Sequence, residues 1–447
     1  MSRALVVGFG VTGRAVTRAL VRRGHDVVAV DDAPSARMAA DAAADAVELV
    51  ASPSPGALGA LVADADLFVP SPGIPECHAA FALAEARGLA VTSELDLATD
   101  WDSRPVLAVT GTNGKTTVTD LLVSILEATG LGVVAAGNTD VPLVAAIDDA
   151  AVDLFVVEAS SFRLAPTTRF APAVATWLNF APDHLDVHRS LEVYERSKAK
   201  VFARAGACVG NLDDPVVAAH LAAVNVPVVG FGVGAGAGGG AAAVTVAGGD
   251  LTVHGRSLLA VSELWRSLPH DIANAMAAVA TIEAAAAAGV VTVSESVMAG
   301  ALRGFVGQPH RVALVAEVGG VRWYDDSKAT TPHAVLAALA GFESVVLIAG
   351  GRDKGVDLAP LLEGAASIKA VVGLGEAGPA VVGHFDGLRP TVLAADMAAA
   401  VGHAAELAEP GDVVLLSPAC ASFDQYADYS ARGDDFTARV HRLSEGQ

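Results

Sequence analysis

Cysteine is nearly absent from this 447-residue chain: Cys77, Cys208 and Cys420 are all it has, and they show no metal-ligand spacing. That excludes a disulfide framework and a cysteine metal site, and points to reduced thiols in a cytoplasmic protein. Cys420 is expected to be a small buried packing residue. Positive charge is scarce too. Lys and Arg total 29 against 50 Asp and Glu, giving a formal charge of −21, which argues against nucleic acid or an anionic membrane as partner. The N-terminus lacks the basic start, apolar stretch and cleavage site of a signal peptide and runs straight into a strand. Long apolar runs are missing except 273–293, which holds Asn274 and Glu283 and is mostly alanine, so it reads as a soluble helix with no membrane insertion. Apolar residues themselves abound at 53%, and the length predicts two to four domains.

The chain is organised around Val109-Thr110-Gly111-Thr112-Asn113-Gly114-Lys115-Thr116-Thr117. An apolar strand, Pro105 to Val109, precedes it, and a helix is expected from Thr117 to Ala128. Strand, glycine loop, Lys-Thr and helix is the order of a phosphate-binding loop, in which backbone N–H groups turn onto phosphate oxygens. Lys115 would reach the terminal phosphates and Thr116 would bind magnesium, although Val109 stands where the common pattern has its first glycine. The competing reading is a glycine-rich turn with an exposed lysine.

In chain order, Ala4–Val7, Gly8-Phe9-Gly10-Val11-Thr12-Gly13, a helix through Arg23, and a strand ending at Asp31-Asp32 make a Rossmann-like opening. Its spacing keeps a dinucleotide-dependent oxidoreductase open as an alternative. Leu67–Val69 leads into a rigid turn containing Gly73, and the first domain is expected to end near Asp100. Beyond the phosphate loop, Glu158 follows the strand Leu154–Val157 directly, placed to hold magnesium. A strand, Ala173–Leu178, opens into Asp183-His184, and a helix carries Tyr194, Lys198 and Lys200. Gly234–Gly240 is low in complexity and reads as a flexible hairpin edge ahead of strands near Val244–Val246 and Leu251–Val253. A long alanine-rich helix is expected to start near Asn274. From Gly307, six strands alternating with helices predict a third α/β domain.

Taken together, Gly111–Thr116, Glu158 with Ser160-Ser161-Phe162, Asp183-His184, Tyr194 through Lys198, Pro309-His310-Arg311 and Tyr324–Thr330 resemble the Mur ligase family over essentially the whole chain. Gly8–Gly13, Asp326–Thr330 and Leu416–Ser422 point to the branch that adds D-glutamate to UDP-N-acetylmuramoyl-L-alanine. The resemblance implies a cytoplasmic, monomeric, ATP-dependent amide ligase working through an acyl phosphate. It also implies three α/β domains: a Rossmann-like UDP-sugar domain (1–100), a central P-loop ATPase domain (101–306) and a Rossmann-like C-terminal amino-acid domain (307–447). Another amide ligase of the family, acting at a different stem position or on folate, is the alternative within the class.

By the same resemblance, Lys115, His184 and Lys198 are catalytic. Gly111, Thr112, Asn113, Gly114, Thr116, Thr117, Asn274, Arg311 and Asp326 bind ATP. Two magnesium ions are held by Thr116, Glu158, His184 and Lys198, the last as a carbamate, since a free ammonium would repel the metal. Val11, Thr12, Asp31, Gly73 and Asn138 line the sugar-nucleotide site, with His184 reaching the peptide end. Lys328, Thr330, Lys354 and Ser422 hold the glutamate carboxylates, and Tyr429 packs beside them. Departures from the family are Asp271 for an asparagine beside the adenine, Asp32-Ala33 for a Thr-Arg pair near the uracil, and Asp140 for a glycine.

Overall fold

The apolar runs become three largely parallel sheets in a computed structural model that describes residues 2–184, 187–234, 242–353, 355 and 357–445. Met1–Leu264 with Ala273–Phe305 form one compact unit, and Trp265–Ile272 with Val306–Gln447 form a second.

In the first unit, β1 (Arg3–Val7), β2 (Asp26–Asp31), β3 (Glu48–Ala51) and β4 (Leu67–Pro70) form a parallel sheet ordered β3-β2-β1-β4. The order reverses beside β1, so the crevice past its carboxyl end lies at the glycine loop Gly8–Gly13. Gly13 is fixed by crowding: a Cβ there would sit 1.8 Å from the Gly8 carbonyl oxygen. The same unit holds a nine-stranded sheet made of β5 (Val106–Thr110), β6 (Val133–Gly137), β7 (Leu154–Glu158), β8 (Val174–Trp177), β9 (Ala207–Asn211), β10 (Val228–Phe231), β11 (Val244–Ala247), β12 (Asp250–Val253) and β13 (Arg256–Ala260). Its order is β13-β12-β11-β10-β9-β8-β5-β7-β6, antiparallel only at the β11–β12 and β12–β13 pairs. The switch point falls at β5, whose carboxyl end opens into the phosphate loop.

The second unit carries β14 (Ala313–Val318), β15 (Val321–Asp325), β16 (Val345–Gly350), β17 (Ile368–Leu374), β18 (Thr391–Ala394) and β19 (Val413–Ala419), ordered β14-β15-β19-β16-β17-β18. Only β14 runs antiparallel to its neighbour. The adjacent carboxyl ends of β15, β19 and β16 deliver residues 326–330, 420–422 and 351–353 to one edge.

Several expected boundaries move. The helix after the phosphate loop is Lys115–Glu127, two residues earlier than expected, because Gly114 in the left-handed region (φ 84°) turns the chain directly into it. The alanine-rich helix is Pro269–Ala287, since Pro269 takes the first-turn position where its missing N–H costs nothing. Glu158 is the last residue of β7 rather than the residue after it. Lys200 lies in a 3₁₀ turn, Lys200–Phe202, beyond the helix Leu191–Ala199, and its ammonium binds the carbonyls of Ala165 and Thr167. Of the glycine–alanine stretch, 235–240 lie outside the described residues. Cys420 is buried in the second unit's core, with its thiol pushed up to about 11 by burial, as a packing residue should be. Among the described residues no helix is long and apolar enough to cross a membrane.

Candidate active site

The phosphate loop is shaped by its neighbours and leads directly into the N-terminus of the helix Lys115–Glu127, the end whose dipole favours an anion. Asn179, at the end of β8, accepts from Asn113 N through its side chain (2.9 Å) and donates back to Asn113 O (3.1 Å). Thr112 Oγ1 accepts from Ala181 N (3.0 Å) and lies 3.2 Å from the Tyr194 hydroxyl. Gly114 is required twice over: its φ is left-handed, and a Cβ would meet Asn274 Oδ1 at 2.4 Å. That contact places the buried Asn274 against the loop. Lys115 Nζ lies on the carbonyl oxygens of Gly111 and Thr112, both at 2.9 Å.

Lys198 comes to the same loop from Leu191–Ala199. Its side chain is 1% exposed, its amine donates to Gly111 O at 2.6 Å, and it stands 4.7 Å from the Tyr194 ring centre. Burial, reinforced by the Lys115 charge, pushes its pKa well below the usual lysine value. Glu158 is paired in register with Val109, at the mouth of the loop. Its Oε1 accepts from Asn138 Nδ2 (2.9 Å), while Oε2 is buried with no hydrogen-bond partner among the described residues. A buried carboxylate oxygen left unpaired beside a phosphate loop is what a magnesium site requires, because unpaired burial is otherwise costly. Among the described residues no three His, Cys, Asp or Glu cluster as a metal cage. A magnesium ion coordinated largely by phosphate and water needs none.

His184 adopts a left-handed backbone (φ 54°), with Nε2 3.5 Å from Asp183 Oδ2 and its ring edge-on to Phe162. Strain at a non-glycine residue is a mark of functional sites. Asp31 ties down the carboxyl edge of the first sheet, accepting from Phe9 N (2.8 Å) and Ala33 N (3.0 Å). Thr12 is buried and accepts from Arg163 Nη2 (3.0 Å), while Val11 and Gly73 are exposed. Sequence reasoning missed this Arg163, which also binds Glu94 Oε2 at 3.0 Å across 69 residues. It missed His188 as well, stacked on Phe162 with Nε2 2.9 Å from Ser161 Oγ. Only the Ser-Ser-Phe motif beside these residues marked the place.

In the second unit, Asp326 follows β15 and is buried, which pushes its carboxyl up to about 7. It accepts from Ser417 Oγ (2.7 Å) and Val312 N (3.2 Å). Arg311 Nε donates to Gln308 Oε1 at 3.1 Å. Lys328 Nζ stands 5.3 Å from the Tyr429 ring centre, joining two of the expected amino-acid residues. Ser422 is buried after β19, Thr330 is exposed, and Lys354 lies outside the described residues. Behind this edge sits Arg432, 1% exposed and missed by sequence reasoning. Its guanidinium donates to Ser327 O (2.8 Å), Ser327 Oγ (2.9 Å) and Cys420 O (3.1 Å), binding the Lys328 and Ser422 segments together. Asp271, which stands where the family has an asparagine beside the adenine, has both oxygens engaged by Arg266.

Family models agree with this layout: the Mur ligase MurD-like N-terminal domain matches residues 2–93, the Mur ligase middle domain 109–282 and the Mur ligase glutamate ligase domain 310–420. The UDP-N-acetylmuramoylalanine--D-glutamate ligase of Frankia casuarinae is 42% identical, over 99% of this chain and 94% of its own. The enzyme of the same name from Pelotomaculum thermopropionicum is 38% identical over 99% and 98%. The fold is also that of the UDP-N-acetylmuramate-alanine ligase MurC of Thermotoga maritima, with TM-score 0.56 and 18% identity over all of both chains. On its motifs, its sheets and these relatives, the chain belongs to the Mur ligase family.

Proposed function

We propose that the chain is an ADP-forming ligase that joins D-glutamate to UDP-N-acetylmuramoyl-L-alanine in peptidoglycan precursor synthesis, as the names of its relatives indicate. The observation that carries the chemistry is Glu158, whose partnerless buried oxygen stands at the mouth of a phosphate loop. An oxidoreductase leaves that arrangement without a role.

The reaction follows from these residues. A carboxylate oxygen of the muramoyl-alanine attacks the γ-phosphorus of ATP, ADP leaves, and an acyl phosphate forms. The D-glutamate amine then attacks the acyl carbon, phosphate leaves, and the nitrogen gives up a proton. Anions converge at both steps, so the protein's work is positioning and charge neutralisation. Lys115 exchanges its two loop carbonyls for terminal phosphate oxygens, while Gly111, Thr112, Asn113, Gly114, Thr116 and Thr117 form the loop around them, Thr112 and Asn113 holding its shape through N–H bonds to Asn179. Asn274, Arg311 and Asp326 take the rest of the nucleotide. Magnesium, when bound, neutralises the phosphate charge. Thr116 and Glu158 would hold one ion, with His184 and a carbamate on Lys198 holding a second. The depressed Lys198 suits the last role, because a neutral amine adds carbon dioxide, forming the C–N bond and releasing a proton.

Val11, Thr12, Asp31, Gly73 and Asn138 are assigned to the sugar nucleotide, and Lys328, Thr330, Lys354, Ser422 and Tyr429 to the amino acid. With one sheet assigned to each, the domains of the proposed enzyme are 1–100, 101–306 and 307–447, and the enzyme is proposed to work as a cytoplasmic monomer. The test is phosphate release from ATP with UDP-N-acetylmuramoyl-L-alanine and D-glutamate, L-glutamate, diaminopimelate or no amino acid. Release with D-glutamate alone is expected, and release with none of them would overturn the proposal.

A further inference from the structure

The second unit contains a turn under strain. His310 (φ 59°) and Val312 (φ 47°) both occupy the left-handed region on either side of Arg311, and for a β-branched residue that is a genuine outlier. Such geometry persists only where its surroundings over-determine it. On one side the restraints come from the strand edge: Asp325 Oδ2 lies 2.6 Å from His310 Nδ1, and Asp326 accepts from Val312 N. On the other side they come from Arg266, a residue no motif singled out. Its Nη1 donates to the carbonyl oxygens of Arg311 (2.8 Å) and Val312. The rest of the guanidinium is gripped in a fork by Asp271, Nη2 to Oδ1 at 2.7 Å and Nε to Oδ2. Asp271 is 1% exposed, and such a carboxylate is tolerable only when paired as it is here.

We propose that Arg266, oriented by Asp271, is a positioning residue for the nucleotide: it clamps the Arg311–Val312 carbonyls and so fixes the direction in which Arg311 leaves the turn. The proposal rests on the assignment of Arg311 to ATP. The fork matters as much as the charge. A planar guanidinium satisfies a carboxylate and two carbonyls at once, whereas an ammonium is a point charge that cannot hold both. Arg266 touches no substrate in this scheme, and its effect is confined to nucleotide affinity.

The test uses the full chain and reads ATP binding by calorimetry alongside KM and kcat. R266M alone leaves Asp271 buried and unpaired, so R266M/D271N, which removes the charge with the clamp, keeps the fold measurable. Expected are a Kd and KM for ATP raised about tenfold, the equivalent of about one strong hydrogen bond, with kcat and the KM for D-glutamate within about twofold of the parent. R266K, which restores the charge without the fork, remains defective. R311M separates the two layers of the argument. If it weakens ATP binding while R266M/D271N and R266K bind ATP like the parent, Arg311 keeps its role and the clamp is wrong. If R311M binds ATP normally, the assignment of Arg311 fails and the clamp fails with it. Equal losses for all three substrates in R266M/D271N also overturn the proposal, since they would mark Arg266 as merely structural.

Discussion

At the scale of single residues, chemistry is concentrated where burial and charge conflict. Glu158 keeps one buried oxygen without a hydrogen-bond partner among the described residues. E158Q retains the shape and the Asn138 contact but weakens the cation ligand, so the magnesium concentration for half-maximal activity should rise about tenfold or more in a titration of phosphate release. Lys198 makes the opposite prediction. Its depressed pKa keeps the amine available to carbon dioxide, so enzyme prepared free of bicarbonate should lose activity and regain it when bicarbonate returns, with a mass gain of one CO₂ that K198A lacks. Asp326 gives a pH dependence. Burial raises its folded carboxyl to about 7, above an unfolded value of about 3.9, so the folded state holds the proton more tightly. This group therefore lowers stability as pH rises from about 4 to about 7, and urea unfolding of D326N should lack that decline. On its proposed role at the nucleotide, the same titration makes Asp326 a better hydrogen-bond acceptor above about 7, where the KM for ATP should be lowest. Lys115 and Glu158 were legible because a motif and a strand end announce them. Arg163, Arg266 and Arg432 were not, because an arginine that will be buried carries no local signature. The partners that give each its place lie far along the chain: Thr12 is 151 residues from Arg163, Ser327 is 105 from Arg432 and the Val312 carbonyl is 46 from Arg266.

At the scale of elements, strand positions were largely written in apolar runs, and six strands follow Gly307 as the alternation predicts, but the order of strands within each sheet was not legible. Helix starts were no more legible, because a capping conformation rather than a hydrophobic period decides them. Gly114 shows the cause, since its left-handed φ brings Lys115 and Thr116 into the first helical turn. G114A forces a Cβ into that conformation and against Asn274 Oδ1. It should raise the KM for ATP at least about tenfold, at a stability cost of about 1–2 kcal/mol, measured by kinetics and urea unfolding together. The loop's other supports, Asn179 and Tyr194, come from a strand end and a helix that only pairing between distant segments brings close, and spacing along the chain could not reveal them.

At the scale of the whole molecule, a net charge of −21 coexists with anionic substrates because the cations are placed, not plentiful. The Lys115 ammonium and the buried Lys198 amine share one carbonyl, that of Gly111. Three α/β sheets were foreseeable from the motifs and the strand–helix alternation, but the interleaving of Trp265–Ile272 with the second unit was not, since the segment opens a helix whose remainder belongs to the first. A chain beginning at Val306 should accordingly unfold at lower urea than one beginning at Trp265, by about 1–3 kcal/mol for the missing charged hydrogen bonds.

That interleaving also sets a timetable on the ribosome. Arg266 is made 46 residues before Val312, a gap of about 2–9 s at ordinary elongation rates. For that interval its guanidinium has no turn to grip, while Asp271, five residues on, is already in reach. The pair can therefore form first and hold a neutral, pre-shaped fork in wait, so that the turn closes onto a clamp already set when Arg311 and Val312 emerge.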